Sequence, residues 1–291
     1  VFGGAALERD RGALTSIYDR PDNIPYVSRR GGYLYNLWKD ANNPRGVWLR
    51  TSLEEFRMPK PSWEVLLDID QLAISEGQDW LLKATASLAG DHRRMILSLS
   101  RGGSDAVTLR EFDTGAKTFV SDGFVLQEAK GGVEWLDRDT LVLSSSHGQG
   151  MATTSGYART VRLWRRGTQA DQAPVIFEIA ADHVGAGCDV DHTVAPPRMW
   201  FVDGVDAFNF ARWLGDESGA TTRINLPSNI WMLPHRDWLA IKDGREAPGD
   251  GLRGRFLRAG GGRPWLRPGQ QRARRLRGAG LSVPEEQDRL A

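Results

Sequence analysis

Residues Val133–Ser145 read VEWLDRDTLVLSS: an apolar run, the polar turn Asp137-Arg138-Asp139-Thr140, and a second apolar run. Runs rich in Val, Leu, Thr and aromatic residues, bounded by Gly, Asp and Pro, mark strands joined by tight hairpins. The same character recurs in RMILSLS (Arg94–Ser100), AVTLREFD (Ala106–Asp113), TVRLWR (Thr160–Arg165) and MWFVD (Met199–Asp203). Many short strands without alternating helices predict an all-β sandwich, barrel or propeller. Several of the eleven tryptophans, among them Trp48, Trp80, Trp135, Trp164 and Trp200, fall inside these runs. Filling a β core is their expected use, ahead of stacking on a ligand.

Working outward, Ala5–Tyr18 (AALERDRGALTSIY) predicts a short helix that ends before Pro21. From Tyr26 strand patterns take over, first as two strands about the turn Arg30-Gly31-Gly32, then at Val47–Thr51 and Trp63–Leu67 on either side of Pro59-Lys60-Pro61. IDQLAISE (Ile69–Glu76) predicts the one internal helix, with Asp68 as its N-cap. A unit of four strands follows at Trp80–Ser87, Arg94–Ser100, Ala106–Phe112 and Lys117–Val120. A second runs from Gly132 through Val142, Val161–Trp164 and Val175–Glu178, and a third from Met199 through Phe208–Trp213 and Thr221–Asn225 to Trp238–Lys242. Such units favour a propeller, although they share no tidy repeated signature. The expected organisation is an N-terminal segment (1–25), β-propeller blades (26–242) and an Arg/Gly-rich tail (243–291). Three readings of that tail compete: a reading-frame shift in a GC-rich gene, plain disorder, or an Arg-Gly segment that binds nucleic acid.

The bulk properties are those of an ordinary globular chain: 291 residues, 40% hydrophobic, 26% charged, net charge +1. That balance argues against nucleic acid as the partner of the chain as a whole. A single cysteine, Cys188, excludes an intramolecular disulfide framework. No apolar stretch approaches the roughly 20 residues that span a bilayer, so no membrane contact is expected. The compartment, cytoplasmic or periplasmic, stays open, and the start at Val1 makes a missing leader uninformative.

Chemistry-bearing patterns are weak. There is no G-x-S-x-G nucleophile motif. The nearest string, Arg101-Gly102-Gly103-Ser104-Asp105, lacks the second glycine and reads as a hairpin loop. The five histidines (His92, His147, His183, His192, His235) lie in or beside polar turns and read as solvated. Cys188-Asp189-Val190-Asp191-His192 has metal-ligand residue types, but all in one short loop and without zinc spacing. Gly148-Gln149-Gly150 is not followed by a dinucleotide fingerprint. The pairs Arg29-Arg30, Arg93-Arg94 and Arg165-Arg166 read as surface charges. No catalytic, cofactor-binding or metal-ligating residue is assigned, and no cofactor is expected.

Residues Tyr26–Asp70, particularly YVSRRGGYLYNLWKDANNPRGVWLRTSLEEF and WEVLLDID, resemble the first blade of bacterial prolyl oligopeptidase-like serine peptidases. The resemblance continues through LSLSRGGSDAVTLREFDTGAKTFV, VEWLDRDTLVLSS and GYARTVRLWRRGT, covering roughly Ile17 to Lys242. It implies about four blades of a seven-bladed ring that caps a C-terminal α/β-hydrolase domain and restricts access to its cavity. In the family that hydrolase domain carries a Ser-Asp-His triad and cleaves oligopeptides, typically after proline. No position here matches the nucleophile motif or its partners, so no catalytic residue carries over and the chain by itself is expected to be inactive. The expected function is therefore the substrate-gating propeller portion of such a peptidase, which meets its oligopeptide through a hydrolase domain missing from this chain. The alternative is a non-enzymatic propeller that binds a peptide or protein.

Overall fold

The computed structural model describes residues 3–18, 20, 25–236, 238–243, 254–258 and 274–275. Helix α1 forms at Ala5–Tyr18 as its sequence predicts, and none of its residues is buried. The first sheet takes its strands in chain order, all antiparallel: β1 (Ser28–Arg30), β2 (Tyr33–Trp38), β3 (Val47–Ser52) and β4 (Glu64–Asp68). Between β3 and β4 lies α2 (Leu53–Phe56), too short to carry a periodic signal; the Ser52 side chain caps it by accepting from the Glu55 N–H. Helix α3 (Ile69–Glu76) is capped as expected, Asp68 accepting from the Gln71 N–H at 3.0 Å.

The second sheet holds β5 (Trp80–Ser87), β6 (Arg94–Arg101), β7 (Ala106–Asp113) and the two-residue β8 (Thr118–Phe119). Its outer edge is completed by the first half of β9 (Val125–Asp137), a 13-residue strand. The second half of β9 is the first strand of the third unit, followed by β10 (Thr140–Ser145), β11 (Thr160–Arg165) and β12 (Val175–Glu178). The strand therefore belongs to both units and joins them into one eight-stranded sheet. The hinge is Gly131, at φ 135°, where a Cβ would lie 2.1 Å from the Ser144 carbonyl oxygen. Only glycine tolerates both the dihedral and the approach.

A fourth sheet contains β13 (Gly185–Asp191), β14 (Arg198–Gly204), β15 (Phe210–Gly215) and β16 (Thr221–Arg223). The sequence-drawn third unit started at Met199 and so missed β13; its GAGCDVD has small and acidic residues where a strand pattern shows β-branched or aromatic ones. It also absorbed Trp238–Lys242, which belongs to the next sheet. That fifth sheet comprises β17 (Ile230–His235), β18 (Trp238–Asp243), β19 (Gly254–Arg258) and β20 (Arg274–Arg275). Most of the Arg/Gly stretch, and with it the choice among its three readings, lies outside the described residues. Within it β19 and β20 extend the fifth sheet, where no regular structure was expected. The whole is a partial β-propeller.

A separate apolar cluster fills each seam between successive units. Tyr35, Trp48, Leu66, Trp80, Leu97 and Phe112 pack between the first and second. Ile96, Leu109, Phe124, Trp135, Leu141 and Trp164 fill the second seam, with Phe124 edge-on to Trp164 at 4.9 Å. Val142, Val161, Leu163, Met199 and Phe201 fill the third, and Trp200, Ile224 and Leu239 the fourth. The middle strands are thus buried on both faces: in β14, Met199 and Phe201 point into one seam and Trp200 into the next. That is why they read as continuous apolar runs instead of alternating ones.

Ion pairs reinforce the first two seams. Arg45 reaches Asp70 (3.4 Å) and Asp79 (2.7 Å), and Lys117 reaches Glu64 (2.9 Å). In the second seam Glu111 of β7 is wholly buried; Arg166, just past β11, grips both its oxygens (2.7 and 3.2 Å) and Arg94 of β6 adds a third bond (3.3 Å). The Phe124 N–H also donates to it, at 3.0 Å. Arg94 and Arg166 were read as solvated surface charges. Their strand-edge positions hide the fact that a neighbouring unit brings a carboxylate beneath them.

Two substitutions test these assignments by chemical unfolding followed through tryptophan fluorescence. Gly131→Ala is expected to cost on the order of 3 kcal/mol through strain and the clash with the Ser144 carbonyl. Glu111→Gln is expected to cost about 3 kcal/mol, because it leaves two part-buried guanidinium groups without their anion. Unchanged midpoints in both would overturn the account of how the second and third units are joined.

Candidate functional site on the inner strands

The first strand of each unit lies on the inner side of the assembly and the last on its outer edge. The packing of three of these strands supports this. β9 packs against β5 and β13, the first strands of its neighbours. The inner wall of the third and fourth units carries Glu134, Cys188 and Asp189, with Arg212 of β15 acting on Asp189.

These groups reach solvent, yet they are strongly desolvated. Both carboxylates, Glu134 and Asp189, are exposed, but protein surrounds them, as it does on a concave wall. Desolvation, with the Asp189 charge added to it, pushes Glu134 up to about 7, and Arg30 only partly opposes this. Desolvation also raises Asp189, against the pull of Arg212. Desolvation in turn lowers Arg212. Burial first, then the two neighbouring carboxylates, pushes the Cys188 thiol well above its ordinary range. A carboxylate that titrates near neutrality in a concave wall is the type of group found at functional sites, although structural clusters produce it too.

The expectation that Cys188–His192 forms one short loop is corrected. Cys188–Asp191 belong to β13, where alternation separates neighbouring side chains. Cys188 and Val190 turn into the third seam. Asp191 binds Arg198 (2.7 Å) and the Thr193 N–H (2.9 Å). The His192 Nε2 donates to the Trp135 carbonyl at 2.8 Å, so it ties the fourth unit to the third. His183 is likewise engaged, its Nδ1 lying 2.7 Å from Asp203. Among the described residues no group of three His, Cys, Asp or Glu side chains is placed to hold a metal ion. Arg101–Asp105 is the hairpin between β6 and β7, and Gly148-Gln149-Gly150 lies in the long β10–β11 connection. No helix among the described residues is long and apolar enough to cross a membrane.

Sequence reasoning missed Glu134, Asp189 and Arg212. The available signal was a charged residue inside an otherwise apolar strand, as in VEWL and CDVD. It also missed a repeat carried by aspartates in the hairpins between first and second strands. Asp91, Asp137 and Asp191 each accept from the N–H two residues on, at 3.2, 2.8 and 2.9 Å.

Successive antiparallel sheets with converging first strands define the β-propeller class. Residues 9–194 match the family described as prolyl oligopeptidase, N-terminal beta-propeller domain. The chain belongs to this prolyl oligopeptidase family. It is 38% identical over 203 residues to an uncharacterized peptidase of Sinorhizobium fredii, covering 68% of this chain and 27% of that protein. An uncharacterized peptidase of Rickettsia prowazekii is 27% identical over 245 residues, covering 76% of this chain and 34% of the relative. The chain thus spans about a third or less of these relatives' length. Among solved structures, a post-proline cleaving enzyme from Rickettsia typhi superposes with a TM-score of 0.75 at 24% identity, over 87% of this chain and 40% of that one. Oligopeptidase B from Leishmania major gives 0.62 at 13% identity, over 87% and 35%. At these identities both likenesses speak to the fold.

The site makes a pH prediction. Glu134 has a folded-state pKa raised above its unfolded value of about 4.5, so its contribution to stability is fully present below that value and is lost as pH rises through about 7. Urea midpoints measured from pH 5 to pH 8 are expected to fall, and Glu134→Gln is expected to flatten the slope. A slope identical in wild type and variant would rule out Glu134 as its source.

Proposed function

We propose that this chain is the substrate-gating propeller portion of a prolyl oligopeptidase-like serine peptidase that acts on oligopeptides. The bond-breaking chemistry belongs to an α/β-hydrolase domain outside these 291 residues. The observation that supports this reading most is the order of the sheets: each unit begins on the inner side and ends on the outer edge, so the inner strands wall a passage. An extended peptide presents one backbone's width to such a passage, whereas a folded domain presents a whole globule, and that difference excludes folded substrates. The inner wall contributes charge of both signs, from Glu134, Asp189, Arg30 and Arg212, and no nucleophile is assigned to it. Its role is passage and selection.

In an assay with a proline-linked chromogenic peptide, the purified 291-residue chain is expected to release no chromophore above the buffer rate. Fusion to the hydrolase portion of the Sinorhizobium fredii relative should restore release. Proline-dependent turnover that co-purifies with the unfused chain would overturn the reading. So would a fused protein that is folded and active on peptides yet equally active on folded proteins.

A further inference from the structure

The hairpins that join first to second strands send a side chain back toward the preceding unit. In three of them an aspartate is followed by a histidine or an arginine: Asp91-His92, Asp137-Arg138 and Asp191-His192. His192 ends on the Trp135 carbonyl of the third unit, at 2.8 Å. The His92 ring lies against Gly31 of the first unit, where an added Cβ would stand 2.6 Å from its Cδ2. Arg138 holds the same place in the series, yet its guanidinium has no hydrogen bond or ion pair among the described residues. It lines a cavity of about 200 Å³ at the hairpin end of the second seam. Arg94, Val120 and Asp122 reach this cavity from the second unit, and Arg138, Asp139 and Arg166 from the third.

We propose that this cavity is a binding site for a phosphate group, held by Arg138 and Arg94 over a floor formed by Arg166. Arg166 is fixed in place. Its Nε donates to Asp139 (2.9 Å), Nη1 and Nη2 to Glu111 (2.7 and 3.2 Å), and Nη2 also to the Arg138 carbonyl (2.8 Å). Its guanidinium lies over the Phe124 ring, 4.5 Å from the centroid. Arg94 places Nη1 on Glu111 at 3.3 Å and Nε 3.9 Å from Asp113, which leaves Nη2 uncommitted. Arg138 keeps all of its donors. Charged donors thus approach from both sides of the seam. That suits an anion with oxygens on several faces, whereas a planar carboxylate is satisfied by one guanidinium fork. The lining bears three positive charges against the two negative ones of Asp122 and Asp139. Asp139 is already bonded to Arg166, while Asp122 is exposed and its carboxylate has no bond among the described residues. Behind the wall, the wholly buried Glu111 balances one more cation. The hold on the anion therefore comes from donors close to it and not from a surplus of charge, so the expected affinity is weak, on the order of 1 mM. A phosphate seated here joins the second unit to the third, and the inference stands apart from the passage proposed above.

The test is a calorimetric titration of the 291-residue chain with inorganic phosphate, at an ionic strength held constant with sodium chloride. A single saturable event is expected, half-complete at about 1 mM phosphate. Arg138→Gln is expected to weaken it roughly tenfold, through the loss of charge-assisted hydrogen bonds. Asp122→Asn is expected to strengthen it roughly threefold, because a carboxylate facing the anion is removed. Non-specific ion pairing does not produce these opposite effects around one cavity. Acetate is expected to give no event over the same concentrations. O-phosphoserine tells two sources of the group apart: binding as tight as that of inorganic phosphate marks a phosphoryl group carried on a larger molecule, and failure to bind marks the free anion. The site is overturned by the absence of a saturable phosphate event, by equal affinities in wild type and both variants, or by acetate binding as tightly as phosphate. Both substituted residues are exposed, so both variants are expected to keep the fold, checked by tryptophan fluorescence. If one does not, the other decides.

Discussion

The middle strands of the second, third and fourth units must bury both of their faces, and the rest of the architecture follows from that. A strand such as RMILSLSR gives Met95, Leu97 and Leu99 to one neighbour and Ile96 to the other, so a single sheet cannot satisfy it. Sheets must therefore stack in series, each lending one face to the sheet before it and one to the sheet after. The aromatic residues set the spacing. Trp48, Trp135 and Phe201 each fill a seam that aliphatic side chains alone would leave loose. Polar contacts then distinguish the seams from one another. Glu111 with its two arginines fixes the second laterally, while the third depends on apolar packing and neutral hydrogen bonds.

Much of the fold was legible for a physical reason. Hairpins and caps are local, so α1, α3, the Arg30-Gly31-Gly32 turn and most strands of the first three units stood close to where their residues put them; the exception is the second unit's outer strand, expected at Lys117–Val120 but formed by the first half of β9 from Val125. β13 was not legible, because a first strand at the inner wall carries small and acidic residues in place of a hydrophobic run. The boundary between the fourth and fifth sheets was lost with it. α2 was invisible because four residues hold no period. The repeat was sought in apolar positions, whereas it resides in the turn aspartates.

The inner-wall cluster was not legible at all. Glu134 and Asp189 are 55 positions apart in sequence and share the inner wall only because their strands, β9 and β13, pack against each other. Each by itself looks like an ordinary strand charge. The arginine pairs failed in the opposite way: Arg94 and Arg166 look solvated in their own hairpins, and only the neighbouring sheet supplies the buried anion. Interactions that cross seams carry no sequence-local signature, and both the electrostatics of the site and the strongest lateral tie are of that kind.

The shared strand β9 has a mechanical consequence. In a series of stacked sheets each unit ordinarily unfolds against its neighbours as a separable block. Here the ladder runs unbroken from β5 to β12 through one backbone, so fraying at the second unit's outer edge pulls directly on the third unit's inner strand. The second and third units therefore act as one cooperative block for hydrogen exchange and for forced extension, with Gly131 as its internal pivot. The fourth unit, which shares no strand with the third and is held to it by apolar packing and a few neutral hydrogen bonds, is the next break in the series.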